Sequence, residues 1–239
     1  MKNYTIKLKM NRLFTTAALL CALSLGFTSC SKDDDKVEQV EPEYQAKVMV
    51  KDGETVDLTK VSKTINTQGT IKRTGNTYSL RNFKQFTIGE DGKATTTAAQ
   101  TYYFDFKEND GLNASDFIVS FNAKSSNVDL ITNNVKGYTL SFIDKAFEDV
   151  KSTDQFTSAS NNLLGLQSSY APNVIGWANY TGQPNHQVLA VANRTIIISK
   201  EGKPFFKIRM NNVYENETMN REIAPNNYFF YSIDYQEFK

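Results

Sequence analysis

Cysteine is nearly missing from this chain of 239 residues: Cys21 and Cys30 are the only two, and both lie near the N-terminus. The rest of the protein therefore holds no disulfide, no thiolate zinc site and no thiol nucleophile. Histidine occurs once, as His186, which removes multi-histidine metal centres and leaves a Ser-His-Asp triad a single possible base. No G-x-S-x-G elbow, Walker loop, H-E-x-x-H or C-x-x-C is present. Tryptophan also occurs once, as Trp177, against the several exposed indoles that carbohydrate sites usually display. These absences disfavour an enzyme, and a hydrolase with paired carboxylates is the least favoured reading. Charge of either sign is not in excess, with Lys+Arg 27 against Asp+Glu 26. No basic field exists to hold a polyanion, so nucleic acid is not an expected partner.

What is present begins with a targeting signal. Lys2, Lys7, Lys9 and Arg12 form a basic region, and Leu13–Leu25 is an apolar run too short to span a bilayer comfortably as a helix. Phe27-Thr28-Ser29-Cys30 then sets small residues before a cysteine, the pattern that lipoprotein signal peptidase cleaves. Residues 1–29 are thus expected to be a removed lipoprotein signal peptide, and Cys30 the lipidated residue that anchors the protein to the membrane. Ser31, Lys32, Asp33, Asp34 and Asp35 follow at once. A solvated spacer would have this composition. The position directly after the lipid cysteine also resembles the surface-export signal of Bacteroidetes-type lipoproteins, and implies an outer-membrane protein facing the cell exterior. Residues 30–45 read as an acidic tether.

Residues 46–239 read as one β-rich domain. Aromatics make up 12% of the chain, 16 Phe and 12 Tyr among them, and suit sheet faces and apolar clefts. Alternating and β-branched runs predict strands at 46–51, 77–88, 95–106, 116–123, 137–143, 188–199, 204–211 and 228–235. Turn signals at 89–92, 109–111 and 200–203 separate several of them, the last marking the clearest hairpin. One helix is expected, over 153–167. The expected fold class is all-β, mainly antiparallel sheet with one or two short helices. No βαβ alternation or internal repeat occurs, which excludes a doubly wound fold.

The segment Gly176–His186 gathers Trp177, Tyr180, two Asn, two Gly, a Pro and the sole histidine. It reads either as a turn whose Trp177 plugs the core or as a binding loop carried by a rigid β scaffold.

From Thr101 to Phe238 a series of segments resembles the HmuY-like family of haem-binding lipoproteins. Tyr102-Tyr103-Phe104-Asp105-Phe106 resembles its YFDF-type strand, and Ala114–Phe121 its S-x-W-D-I-A-F strand, with Asp116-Phe117 replacing Trp-Asp. Trp177-Ala178-Asn179-Tyr180 followed by His186 is similar to its W-Y-x-Y…H loop. Thr195–Ser199, Gly202 and Phe205–Ile208 resemble its terminal hairpin. The resemblance implies an all-β surface lipoprotein that captures haem through axial His or Met side chains and passes it to a TonB-dependent outer-membrane receptor. By position His186 is one axial ligand. Met219 is the candidate for the other, because the span from Ala123 to Gly182 holds no His or Met. Tyr180, Tyr214 and Trp177 are the candidate pocket residues. Two alternatives stay open: a related tetrapyrrole or siderophore as ligand, and a docking subunit of an outer-membrane receptor that holds no small molecule.

Overall fold

The computed structural model describes residues 45–124, 127–168, 174–219 and 227–239. The expected signal peptide (residues 1–29), Cys30 and the Ser31–Asp35 cluster lie outside the described residues. Sixteen strands and one α-helical turn make up the domain. They are β1 (Thr55–Asp57), α1 (Leu58–Val61), β2 (Thr67–Thr74), β3 (Thr77–Ile88), β4 (Ala94–Ala98), β5 (Thr101–Asp105), β6 (Asp110–Gly111), β7 (Val119–Asn122) and β8 (Leu130–Thr132). After these come β9 (Tyr138–Asp144), β10 (Thr157–Ser158), β11 (Leu163–Ser168), β12 (Gly176–Tyr180), β13 (Val188–Ala190), β14 (Arg194–Lys200), β15 (Lys203–Tyr214) and β16 (Tyr228–Glu237). The fold is all-β and mainly antiparallel.

The strands form two sheets. The larger runs β1-β2-β3-β16-β15-β14-β9-β10, with β4 added to the far part of β3; the smaller runs β13-β12-β11-β8-β7-β5-β6. Only β11 and β12 pair in parallel. Inward-facing aromatics from both sheets make the core. Phe83 of β3 meets Tyr102, Phe104 and Phe121 edge-on at ring separations of 5.9, 5.1 and 6.0 Å. Tyr231 of β16 lies between Tyr102 and Phe121, at 6.0 and 4.8 Å.

The hairpin expected at 200–203 is present. β14 and β15 are joined by Glu201 and Gly202, both at positive φ (51° and 79°), the twist that two-residue hairpin turns require. Two expected long strands are instead each split between the sheets. The run 95–106 becomes β4 in one sheet and β5 in the other, and 188–199 becomes β13 and β14. Residues 46–51 are not a strand. Val48 and Val50 do alternate inward and are buried, but the backbone bonds singly to Glu108 (Val48 N–H to its carbonyl, 3.0 Å), to the Asn109 side chain and to Glu54 rather than in a ladder with a neighbouring strand.

The helix expected over 153–167 is absent, for a reason its own composition supplies. Thr157 and Ser158 pair with Phe142 and Ser141 of β9, while Asn161 and Asn162 take left-handed φ of 54° and 58°. Asn162 accepts from the Leu140 N–H (2.6 Å) and donates to the Tyr138 carbonyl (3.0 Å). Side chains of this kind bond backbone more readily outside a helix than within one.

Candidate functional site

Gly176–Tyr180 is a strand, β12, rather than a loop. A bulge at Trp177, where Gly165 and Leu166 of β11 oppose Gly176 and Ala178, turns the indole inward. Trp177 is 2% exposed, its Nε1–H donates to the Val128 carbonyl at 2.7 Å, and its ring lies 6.4 Å from Tyr231. The placement of Trp177 in a ligand pocket is therefore corrected. A buried indole with its only donor already engaged is a core residue, the other of the two readings its segment allowed.

The turn itself is 181–187, closing the β12–β13 hairpin. The Thr181 N–H donates to the Gln187 carbonyl and the Gln187 N–H to Thr181 Oγ1, each at 2.9 Å. The His186 N–H donates to the Gly182 carbonyl at 2.7 Å; the Gln183–Pro184 peptide is cis. His186 is exposed, at a left-handed φ of 49°. Its Nδ1 hydrogen-bonds the Tyr180 hydroxyl, and the two rings lie 5.9 Å apart. With the proton on Nδ1, Tyr180 accepts it and the Nε2 lone pair has no partner among the described residues. That is the tautomer in which an imidazole ligates a metal, with a second group fixing its orientation.

Tyr214, at the end of β15, stands behind this turn. It is buried, and its hydroxyl accepts the Val188 N–H at 2.9 Å, tying the hairpin to the larger sheet. Burial raises its phenol pKa, the Val188 bond opposes that, and the nearby Tyr180 adds to the rise. Its ring lies 5.4 Å from Tyr228. The structure thus brings Tyr180 and His186 together and sets Tyr214 beside them as a support. Met219 is half-buried and packs against the hydrophobic core beyond the Glu215–Glu217 turn. No hydrogen bond joins it to His186.

Sequence reasoning missed a second group at this end of the molecule. Tyr231 donates to the Asn122 carbonyl, whereas the buried hydroxyls of Tyr102 and Tyr228 have no hydrogen-bond partner among the described residues. Asp129, half-buried just before β8, lies near enough to push the Tyr231 phenol further above its ordinary value, which burial has already raised. Burial also raises the pKa of Asp129, against hydrogen bonds from Asn127 and Asn122. The alternation of Tyr102-Tyr103 hints that Tyr102 faces inward; nothing in the sequence pairs it with Asp129.

Among the described residues no group of three or more His, Cys, Asp or Glu side chains is placed to hold a metal ion. His186 is the one exposed imidazole, and Met219 stands half-buried against the core. Compared with protein-family models, curated proteins and solved structures, the chain matches none.

Proposed function

We propose that this protein is an outer-membrane lipoprotein, anchored through Cys30 and exposed by its Ser31–Asp35 signal, that captures haem or a related tetrapyrrole and hands it to a TonB-dependent receptor. One observation carries the reading: the sole imidazole stands exposed on a hairpin turn, its Nδ1 side held by the Tyr180 hydroxyl.

His186 as the one protein ligand implies a five-coordinate, high-spin ferric haem. Hemin titrated into the full chain in detergent should give a Soret shift of that kind, and His186→Ala should lose it. A parent protein with no spectral change sinks the haem reading. A parent with a six-coordinate spectrum that Met219→Ala converts to five-coordinate restores Met219 as the second ligand.

The docking alternative has its own observation. Val174, Ile175 and Leu189 are large apolar side chains exposed to about half their surface, at 46%, 50% and 46%, on or beside β12 and β13. If hemin leaves the spectrum unchanged while Leu189→Asp abolishes copurification with a receptor, the docking reading takes its place.

A further inference from the structure

We infer that the surface built from residues 47–51 and 61–65 rests on a lipid bilayer with anionic headgroups, and so sets which face of the domain lies against the membrane. The inference rests on the reading of Cys30 as a lipid anchor. The first observation is one pattern in two separate segments. In the earlier one Val48 and Val50 turn into the core, so Lys47, Met49 and Lys51 face outward. In the later one Ser62 Oγ donates to Asp110 Oδ1 and Thr64 Oγ1 to the Gly111 carbonyl, each at 2.5 Å. Val61, Lys63 and Ile65 are left facing outward. Met49 and Ile65 expose 59% and 60% of their surface, and Val61 exposes 38%.

The second observation joins the segments, because both hold the same turn, residues 108–111. The Val48 N–H donates to the Glu108 carbonyl at 3.0 Å, and Asn109 Nδ2 donates to the Val48 carbonyl at 3.1 Å. The Lys63 N–H donates to Asp110 Oδ2 at 2.7 Å. Met49 and Ile65 thus stand on neighbouring stretches of one surface with lysines beside them. Single exposed apolar side chains need no explanation. Several of them alternating with lysines have the composition of an interfacial membrane contact, in which apolar chains enter the headgroup layer and ammonium groups meet phosphates.

The third observation is how the charges are arranged. Lys47, Lys51, Lys60 and Lys63 are all exposed, and of the four only Lys60 enters an ion pair among the described residues, with Asp57 at 3.5 Å. The neighbouring carboxylates are drawn onto backbone instead. Glu108 accepts from the Lys47 N–H and Glu54 from the Lys51 N–H, both at 2.9 Å. Asp52 accepts from the Gly75 N–H at 2.7 Å and Asp57 from the Thr59 N–H at 3.0 Å. The chain also enters the domain here: from Cys30 to Lys47 it can span at most about 60 Å, which keeps this surface within reach of the bilayer.

The test uses the chain's shortage of cysteine. With Cys21 removed and Cys30 acylated, Ile65→Cys and Leu189→Cys each carry one free thiol for a nitrobenzoxadiazole label. Each lipoprotein is reconstituted into phosphatidylcholine vesicles, with and without phosphatidylglycerol, that contain a spin-labelled lipid as quencher. The label at 65 should be quenched several-fold more than the label at 189, and more strongly with phosphatidylglycerol. Met49→Asp in the Ile65→Cys protein should reduce that quenching several-fold. Equal quenching at the two positions, none at 65, or no dependence on phosphatidylglycerol overturns the inference. So does a label at 65 that is shielded only as the protein-to-lipid ratio rises, which marks a protein partner. Flotation and intact mass separate the two readings: protein that carries no acyl chain and does not float sinks the anchor, whereas acylated, floating protein with an unquenched label at 65 overturns this inference alone.

Discussion

The two ends of β16 are made of the same residues and finished in opposite ways. At one end Tyr235 stacks on Tyr78 at 5.2 Å and donates to Asn109 Oδ1 at 2.7 Å, and Asn109 donates in turn to the Val48 carbonyl at 3.1 Å. Each of those polar groups is answered from within the chain. At the other end Tyr231 is answered by Asn122, but Tyr102 and Tyr228 are left with buried, unpaired hydroxyls. The carboxylates repeat the contrast. Asp234 accepts from Arg209 at 2.7 Å, Arg81 at 2.8 Å and Ser79 at 2.8 Å, while Asp129 is met by the neutral amides of Asn127 and Asn122 and by no cation among the described residues. Satisfied groups close a structure; each unsatisfied one is a local cost that its surroundings must offset.

The sharpest way to break this comparison is to show that the open end tolerates loss of its own packing. Trp177 lies at that end yet is a core residue, so Trp177→Ala should cost about 4 kcal/mol, the usual loss for a buried large aromatic. Urea unfolding measures it. A loss below ~1 kcal/mol would mean that the indole is not held as described, and would return it to the pocket.

The next effect tests the closed set of charges. Asp234→Asn leaves Arg81 and Arg209 facing a neutral amide, and because both guanidiniums are partly exposed the loss should sit near the low end for a buried pair, about 3 kcal/mol. Burial alone would raise the Asp234 pKa; the Arg209 hydrogen bond, the Arg81 charge and the Ser79 hydroxyl outweigh it and hold it below the usual value. Its stabilisation is therefore full above the unfolded value of about 3.9 and is lost as pH falls through the lowered folded one. Asp234→Asn should be less stable at neutral pH and lack that part of the acid-induced loss, read from urea midpoints across the range.

Matched hydroxyl deletions compare the two ends directly. Tyr235→Phe should destabilise by about 1–2 kcal/mol, since it strands the buried Asn109 carbonyl. Tyr102→Phe removes a hydroxyl that has no partner, so ligand-free protein should keep its Tm or gain slightly. If both variants lose stability equally, Tyr102 has a partner and the two ends are alike.

Much of the closed architecture was legible in the sequence, and little of the open end was. β3 was read at its observed limits, and β9, β15 and β16 nearly so, because each keeps one hydrophobic face against a continuous core. β2, β8, β11 and β12 were missed, as were the short β1, β6 and β10. The polar β2 hides its two inward residues among Thr, Gln and Lys, and β12 carries Gly, Asn and a bulge, which resemble turn chemistry. The sheet change inside 95–106 turns on Ala99 and Gln100, where alternation simply continues. Of the candidate site, the nearness of Tyr180 and His186 follows from six residues of hairpin turn. The approach of Asp129 to Tyr102 and Tyr231 joins three distant segments, and no local pattern encodes it.

The smallest expected effect separates the two carboxylates by sign. Burial holds the Asp129 pKa above its ordinary value, with the Asn127 and Asn122 hydrogen bonds opposing, so between the unfolded and folded values the native state binds more proton and stability falls as pH rises. At neutral pH the ionised carboxylate is therefore a cost. Asp129→Asn should remove it, raising stability by less than ~1 kcal/mol, because solvent screens a half-buried group. The gain should vanish in acid below about pH 3.9, where the parent is also neutral. Asp105 and Asp110 are raised by burial too, but they are common to both proteins and cancel in the difference. An Asp129→Asn variant less stable than the parent at neutral pH would show that the Asn127 and Asn122 hydrogen bonds outweigh the cost of the buried charge.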